Sequence, residues 1–420
     1  MDRAEAFCRE VAATPYAAAA RVTVTQEVFS RVFVGGYESS PGSADGGIHV
    51  FDLSAGGELS PLSHVTHPGR AASLAWADVT RTLYAVDERK TDGRGPIGPE
   101  PAVWAFRVEP RSGSLNFLAK RFVPGSMPGY LCMGMDQKML LSANHGAFEH
   151  VERIRRSPEG SWETTFAYDD SSVVAFSLGS EGVLSEVESL HLRQGHGQDP
   201  NDSPQAGGHA QASPHAHCVE VDPSGRWAVV CDKGTDEVVV LDLANDLTVR
   251  STLRMPPATG CRHVTFDSHS DRAYMTCEIS SEVVSLRFDA VDGSFELLDQ
   301  RPSVLPGFDG LNEPAAVRVR PDGRFVYLNN RGEDSLCWWS VDAAGRLERR
   351  GSVELARSEH PGVATRSFAF NAAGNVLIVD DLPANLLKVF QVDMETGELL
   401  ALGAAEVQGP AFVHLVDLPA

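Results

Sequence analysis

The chain is poor in basic residues for its size, with 36 lysines and arginines against 57 aspartates and glutamates in 420 residues and a net charge of −21. That balance argues against a nucleic-acid partner, because phosphate backbones are held by basic surfaces. It also means that an anionic small molecule is repelled at long range, so a site for one must gather its own arginines at close quarters. No segment approaches the roughly 18 consecutive apolar residues of a membrane span. Residues 1–28 carry Asp2, Glu5, Arg9 and Glu10 without a long apolar core, and are expected to be a leader outside the fold that is neither a secretory signal nor an anchor. The seven cysteines are odd in number, with Cys132, Cys218, Cys231, Cys261, Cys277 and Cys337 scattered along apolar runs and no Cys-x-x-Cys pair. This usage predicts reduced thiols in the cytoplasm and no zinc site. The glycines sit in turns and none forms a strand-to-helix phosphate loop, so no nucleotide or redox cofactor is expected.

What the chain does have is a repeating cassette. Val219-Glu220-Val221-Asp222-Pro223-Ser224-Gly225-Arg226-Trp227-Ala228-Val229-Val230 returns as Val317-Arg318-Val319-Arg320-Pro321-Asp322-Gly323-Arg324-Phe325-Val326-Tyr327-Leu328, with looser copies turning at Asp267 to Arg272 and at Asn371 to Asn375. Each apolar run is short and bounded by Gly, Pro, Asp or Ser, which marks strands. The period of about 46 to 52 residues suits one four-stranded propeller blade. Cassettes begin near Ala71, Pro128, His215, Arg262, Pro314 and Thr365. The N-terminal remainder supplies three strands around Val32, Ile48 and Leu59, and the C-terminal run Ala411 to Val416 supplies one. Together they predict a seventh blade that closes the ring and removes its free sheet edges. The expected fold is therefore all-β: a single seven-bladed β-propeller over residues 29–420, four antiparallel strands per blade, as a monomer or weak homo-oligomer. Insertions are expected at about residues 146–170, with the basic cluster Arg153, Arg155 and Arg156 read as a solvated face, and at 193–213, read as a mobile loop.

In such a ring the innermost strands and the ends of the second strands converge on one channel. Second-strand ends read Asp87-Glu88, Asn144-His145, Asp232-Lys233, Glu278, Asn330-Arg331 and Asp380-Asp381, and innermost-strand starts add His215, His217 and Arg262-His263. Glu278 and Arg331 fall in equivalent slots of adjacent blades, and Arg262 opens the blade that Glu278 closes, which predicts a shared pocket. Pro214-His215-Ala216-His217 places two imidazoles on one face of a strand. That pairing could hold a metal, but no carboxylate has ligand spacing, so a catalytic or substrate-binding role is expected instead.

The ordered set Val34-Gly35-Gly36-Tyr37, Leu83-Tyr84-Ala85-Val86-Asp87-Glu88, Ser142-Ala143-Asn144, Pro214-His215-Ala216-His217, Arg262-His263-Val264-Thr265-Phe266, Ala273-Tyr274-Met275-Thr276-Cys277-Glu278 and Tyr327-Leu328-Asn329-Asn330-Arg331-Gly332 resembles the seven-bladed propeller lactonase family. That family includes propeller-type 6-phosphogluconolactonases and carboxy-muconate cyclases. The resemblance implies a site of one His, two Arg and one Glu, falling on His215 or His217, Arg262, Glu278 and Arg331, with no metal and no cofactor. The chain departs from the family pattern at Asp87, at His145 and at Asp380-Asp381. The expected activity is hydrolysis of a small anionic lactone, foremost 6-phosphogluconolactone. In this scheme His215 or Glu278 serves as general base, Arg262 and Arg331 face the anionic group and the oxyanion, and Glu88, Asn144 and His217 bind substrate. A muconate-type cycloisomerase acting on a carboxylate substrate and a propeller that only binds are the alternatives.

Overall fold

The computed structural model describes residues 28–40, 42–90 and 100–418. It contains seven four-stranded antiparallel sheets and one two-stranded hairpin. Among the described residues the only helical pieces are three short 3-10 turns. Blades 1 to 6 run in chain order with innermost strands Ala71–Ala77, Pro128–Met133, Ala216–Val221, Cys261–Phe266, Glu313–Val319 and Phe368–Phe370. Blade 7 is composite: Val28–Gly36, Gly47–Ser54 and Leu59–Val65 come from the N-terminal side, and Pro410–Asp417 pairs with the first of them as the innermost strand. That innermost strand packs against those of blades 1 and 6, so the ring is closed. Most of the leader expected at residues 1–28 lies outside the described residues, and Val28 already opens a strand.

Burial explains the sequence pattern within a blade. The second strand is covered on both faces by neighbouring blades, so Trp227–Asp232 and Thr82–Asp87 are buried throughout and read as unbroken apolar runs. The outermost strand has one wet face, so Thr248–Arg254 is polar and largely exposed. The cassette's turn is held by its first polar residue. Asp222 Oδ1 accepts the backbone N–H groups of Arg226 and Trp227 at 3.0 and 2.7 Å, and Gly225 supplies the left-handed step at φ +75°. Asn371 repeats the cap on Val376. Blade 5 puts Arg320 in this slot instead. Fully buried, it pairs with Asp322 and donates to the carbonyls of Asp393 and Met394, tying blade 5 to blade 6.

The first insertion folds into the hairpin His150–Arg156 and Trp162–Tyr168, on which Arg153, Arg155 and Arg156 are exposed. The second insertion is anchored where a mobile loop was expected. Arg193 is buried between Asp232 and Glu237 at 2.8 and 2.7 Å, and Gln211 donates to Asp236 and to the Lys233 carbonyl.

Closure depends on close backbone approach. A Cβ on Gly35 would stand 2.1 Å from the carbonyl oxygen of Ala71, the first residue of blade 1. Gly35→Ala is therefore expected to push blade 7 away from blade 1 and destabilise the protein by about 2 kcal/mol or more. An unchanged denaturant midpoint would show that the seam does not depend on this contact.

Candidate functional site

Two rings of side chains converge at one end of the channel, and the backbone accounts for both. In five blades the pairing of the innermost with the second strand slips near its start: between Ala71 and Leu74, Pro128 and Tyr130, Ala216 and Cys218, Cys261 and Val264, and Pro314 and Val317. Blade 7 slips in the same way opposite Gly35 and Gly36, leaving Ala411 extra. A bulge turns its extra residue out of the ladder and re-aims the side chain. The residues presented to the pocket in this way are Ala72, Gly129, His217, Arg262, His263 and Ala411. In blade 6 the segment before Phe368 presents Arg366. Side chains satisfy the backbone N–H groups freed at these points: Thr276 Oγ1 accepts from His263, Asn329 Oδ1 from Ala316, and Asp380 Oδ1 from Arg366 and Ser367.

The second ring is the residue just past the last pair that each second strand makes with the third strand of its blade. These are Tyr37, Glu88, His145, Lys233, Glu278 and Arg331 in blades 7, 1, 2, 3, 4 and 5. All six line the same cavity of about 620 Å³. Blade 6 has Leu382 in this register, so the expected pair Asp380-Asp381 lies one step too early. Both carboxylates turn into the scaffold: Asp380 Oδ1 accepts from the backbone as above while its Oδ2 is buried without a hydrogen-bond partner, and Asp381 meets Lys388 at 2.5 Å and the Ala356 N–H.

Glu278 is the hub of the pocket. Its Oε1 accepts from Lys233 Nζ at 3.0 Å and from Gln205 Nε2 at 2.8 Å, and its Oε2 accepts from Arg262 Nε at 2.5 Å. Arg331 Nη2 stands 3.0 Å from Glu278 and 3.1 Å from Glu313. Its hydrogens are aligned on neither, so Nη2 is a buried donor with ion partners but no directed hydrogen bond. Burial pushes the Glu278 pKa up, but Lys233, Arg331 and Arg262 together outweigh it and hold the carboxyl well below its ordinary value. Burial, Arg331 and Arg366 lower Arg262 in turn to about 10.

Beside this charged cluster lie four imidazoles, His145, His215, His217 and His263, in a chain of ring contacts with centroid spacings of 4.4 to 5.3 Å. Burial is the first cause that lowers all four, with Lys233 or Arg262 or a neighbouring imidazole adding to it, so each is neutral at pH 7. The two candidate histidines occupy different positions. His215 is 1% exposed and lies behind His145 and Phe148, its Nδ1 bonded to the His145 carbonyl oxygen. His217 faces the cavity, with Nε2 3.9 Å from Glu278 and Nδ1 buried without a partner.

Of the residues singled out from the sequence, Glu88, His217, Arg262, Glu278 and Arg331 meet in one pocket, while His215 and Asn144 do not line it. Asn144 is fully buried and braces Ser142, Ser172 and the Pro124 carbonyl. Glu88 accepts from Tyr37 Oη at 2.6 Å. The sequence reading passed over Lys233, Tyr37, Arg366 and Gln205 as site residues. Lys233 and Tyr37 stand in the same register as Glu278, and Thr365-Arg366 opens its blade as Cys261-Arg262 does, so the repeat itself carried the signal for these three. Gln205 arrives from the second insertion, outside the repeat, and carried none. Among the described residues no group of three or more His, Cys, Asp or Glu side chains is placed to hold a metal ion.

A seven-bladed ring whose channel end gathers arginines around one carboxylate defines a propeller of the lactonase class. The family model "Lactonase, 7-bladed beta-propeller" matches residues 31–415, and the chain belongs to that family. It is 27% identical over 364 residues to 6-phosphogluconolactonase of Bacillus subtilis, covering 85% of this chain and 90% of the relative. It is 24% identical over 388 residues to 6-phosphogluconolactonase of Pectobacterium carotovorum, covering 91% and 98%. The solved structure of a periplasmic gluconolactonase from Pseudomonas aeruginosa superposes with a TM-score of 0.77 at 25% identity, covering 93% of this chain and all of that one.

Removing the hub charge should be felt across three blades. Glu278→Gln leaves Lys233, Arg262 and Arg331 facing one another and is expected to destabilise the fold by about 3 kcal/mol. Because the folded carboxyl is depressed, its contribution is complete above the unfolded value of about 4.3 and fades as pH falls through the lower folded value. The gap from wild type should therefore be full at pH 7 and pH 5 and shrink below about pH 4. Equal denaturation midpoints at pH 7 would refute the hub.

Proposed function

We propose that the protein is a metal-independent lactonase that opens a sugar-acid lactone, foremost 6-phosphogluconolactone, in this pocket. The observation that carries the reading is the adjacency of a neutral, unpartnered His217 to the Glu278-centred cations inside a lactonase-family channel. Its named relatives from Bacillus and Pectobacterium support the same substrate.

Hydrolysis needs a base for water and donors for the oxyanion. Glu278 makes a poor base, because three cations oppose its protonation. His215 is walled from the cavity. His217 fits the base role: its imidazole is neutral at pH 7 and holds no partner that must first be displaced. Water oxygen bonds to the acyl carbon as His217 takes its proton. The carbonyl oxygen gains negative charge opposite Arg331 Nη2 and the Arg262 guanidinium. The ring C–O bond then breaks, and the departing alkoxide takes the proton back from His217. Glu278 fixes the geometry of both arginines throughout, and Glu88 and Tyr37 are placed to meet substrate hydroxyls. The six free, buried thiols among the described residues support a reducing, cytoplasmic setting.

The test is the hydrolysis rate of freshly generated 6-phosphoglucono-δ-lactone above its spontaneous rate, in the presence of a chelator. Wild type should accelerate it, and His217→Gln and Arg331→Ala should each lower kcat/KM by about 100-fold or more. Wild-type turnover in both variants would overturn these roles, and no acceleration by wild type, with turnover of a muconate-type diacid instead, would favour the cycloisomerase. Because burial and Arg262 lower the His217 pKa, and the working form is the neutral one, kcat/KM should stay level as pH drops through 6.5. An activity that falls off with a midpoint near 6.5 would exclude His217 as the base.

A further inference from the structure

The cavity carries a further cation on its blade 6 side. Its lining cations, Lys90, Lys233, Arg262, Arg331 and Arg366, outnumber its carboxylates, Glu88, Glu149, Glu278 and Glu313, by five to four. Lys90 is paired with Asp169 and Glu149 at the rim, and the other three besides Arg366 meet at Glu278. Arg366 pairs with no carboxylate among the described residues. Its Nη1 donates to Tyr37 Oη at 3.1 Å and its Nη2 to the Gly362 carbonyl. Nε is buried without a partner. A guanidinium carries five N–H donors, so three remain uncommitted. The Arg366 head lies over one side of the Tyr37 ring at 5.2 Å, with Arg70 over the same ring at 4.8 Å, which fixes its plane. His360 also lines this end of the cavity. Its Nδ1 accepts the Gly362 N–H, so the proton of the neutral ring sits on Nε2 as a further donor. The Tyr37 oxygen first, and then Glu88, Asp380 and Glu278, favour the charged form of Arg366 against burial without closing a direct ion pair, so Arg366 stays a cation with donors to spare.

The intact lactone has no free carboxylate, so a permanent negative charge on the substrate must lie elsewhere on it. We propose that Arg366 is the specificity-determining residue of the pocket, binding the substrate's phosphate from the blade 6 side, next to Arg331 of blade 5, with His360 as a second donor. This deepens the lactonase reading above and rests on it for the identity of the ligand. Planar guanidinium forks suit phosphate oxygens, and a charge-assisted contact of this kind is directional.

Titration calorimetry with the products 6-phosphogluconate and gluconate reads the subsite without turnover, since both carry the C1 carboxylate and only one carries phosphate. Wild type should prefer 6-phosphogluconate, and Arg366→Gln should reduce that preference by about 30-fold. Arg366→Lys should keep part of it, which a loss of Tyr37 packing alone would not explain. Unfolding midpoints of both variants establish that the fold is intact. A preference that survives Arg366→Gln, or a wild type that does not discriminate, overturns the proposal. Should neither sugar acid bind, the 6-phosphogluconolactone reading has failed on its own account, and inorganic phosphate becomes the probe. Arg366-dependent phosphate binding then upholds the subsite, and its absence overturns it.

Discussion

The pocket depends on one buried carboxylate. Glu278 is 3% exposed and receives Arg262 from its own blade, Lys233 from blade 3 and Arg331 from blade 5. Taking a single carboxylate out of water is strongly unfavourable, and so is crowding three cations together. Each cost is offset only when the three blades hold these groups within about hydrogen-bond reach. The ion cluster therefore couples ring geometry to site geometry: blades that splay apart lose the pairing, and an incomplete pairing drives them apart. In a chain of net charge −21, the cluster is also a local concentration of cations, the condition a site for an anion would need.

The propeller supplies the cluster through two repeated backbone devices. Bulges near the start of the innermost strands turn one or two side chains into the channel, and the step past each second strand adds another. Because the devices recur in most blades, specificity is written by which residue each blade places there. Blades 1, 2 and 7 present Ala72, Gly129 and Ala411 from their bulges and leave room for a ligand. Blades 3, 4 and 6 present His217, Arg262 and Arg366 and provide an imidazole and two guanidinium groups. The cavity is asymmetric although the scaffold is nearly symmetric.

Legibility in the sequence follows that division. Blade number, strand order and the composite closing blade were readable because each rests on short-range periodicity and on turn chemistry such as the Asp222 cap. Glu278, Arg331 and Arg262 were readable because repeats place them in register. The choice between His215 and His217 was not. It turns on a one-residue slip between Ala216 and Cys218 and on His145 and Phe148 closing over His215, and neither leaves a mark on the composition of the strand. Asn144 and Asp380 are polar residues that stop short of the channel register, and their side chains turn back to satisfy the backbone and neighbouring strands. Arg366 was legible through the repeat, since Thr365-Arg366 opens its blade as Cys261-Arg262 does, whereas Gln205 belongs to an insertion that has no counterpart in the other blades.

The division of labour within the pocket also has a physical reason. A group that binds an anion must stay charged, while a group that takes a proton from water must be neutral beforehand, and close proximity forces each role on its neighbour. Burial first, with Lys233 and Arg262 adding to it, disfavours positive charge on the imidazoles beside the cluster, so they are kept unprotonated. Glu278, held by those same cations, is kept from accepting a proton. In the proposed reaction, anion binding and proton transfer therefore fall to different residues. In that reaction, a substrate that brings its own negative charge offsets the part of the His217 depression that Arg262 adds to burial, so anion binding and activation of water reinforce one another.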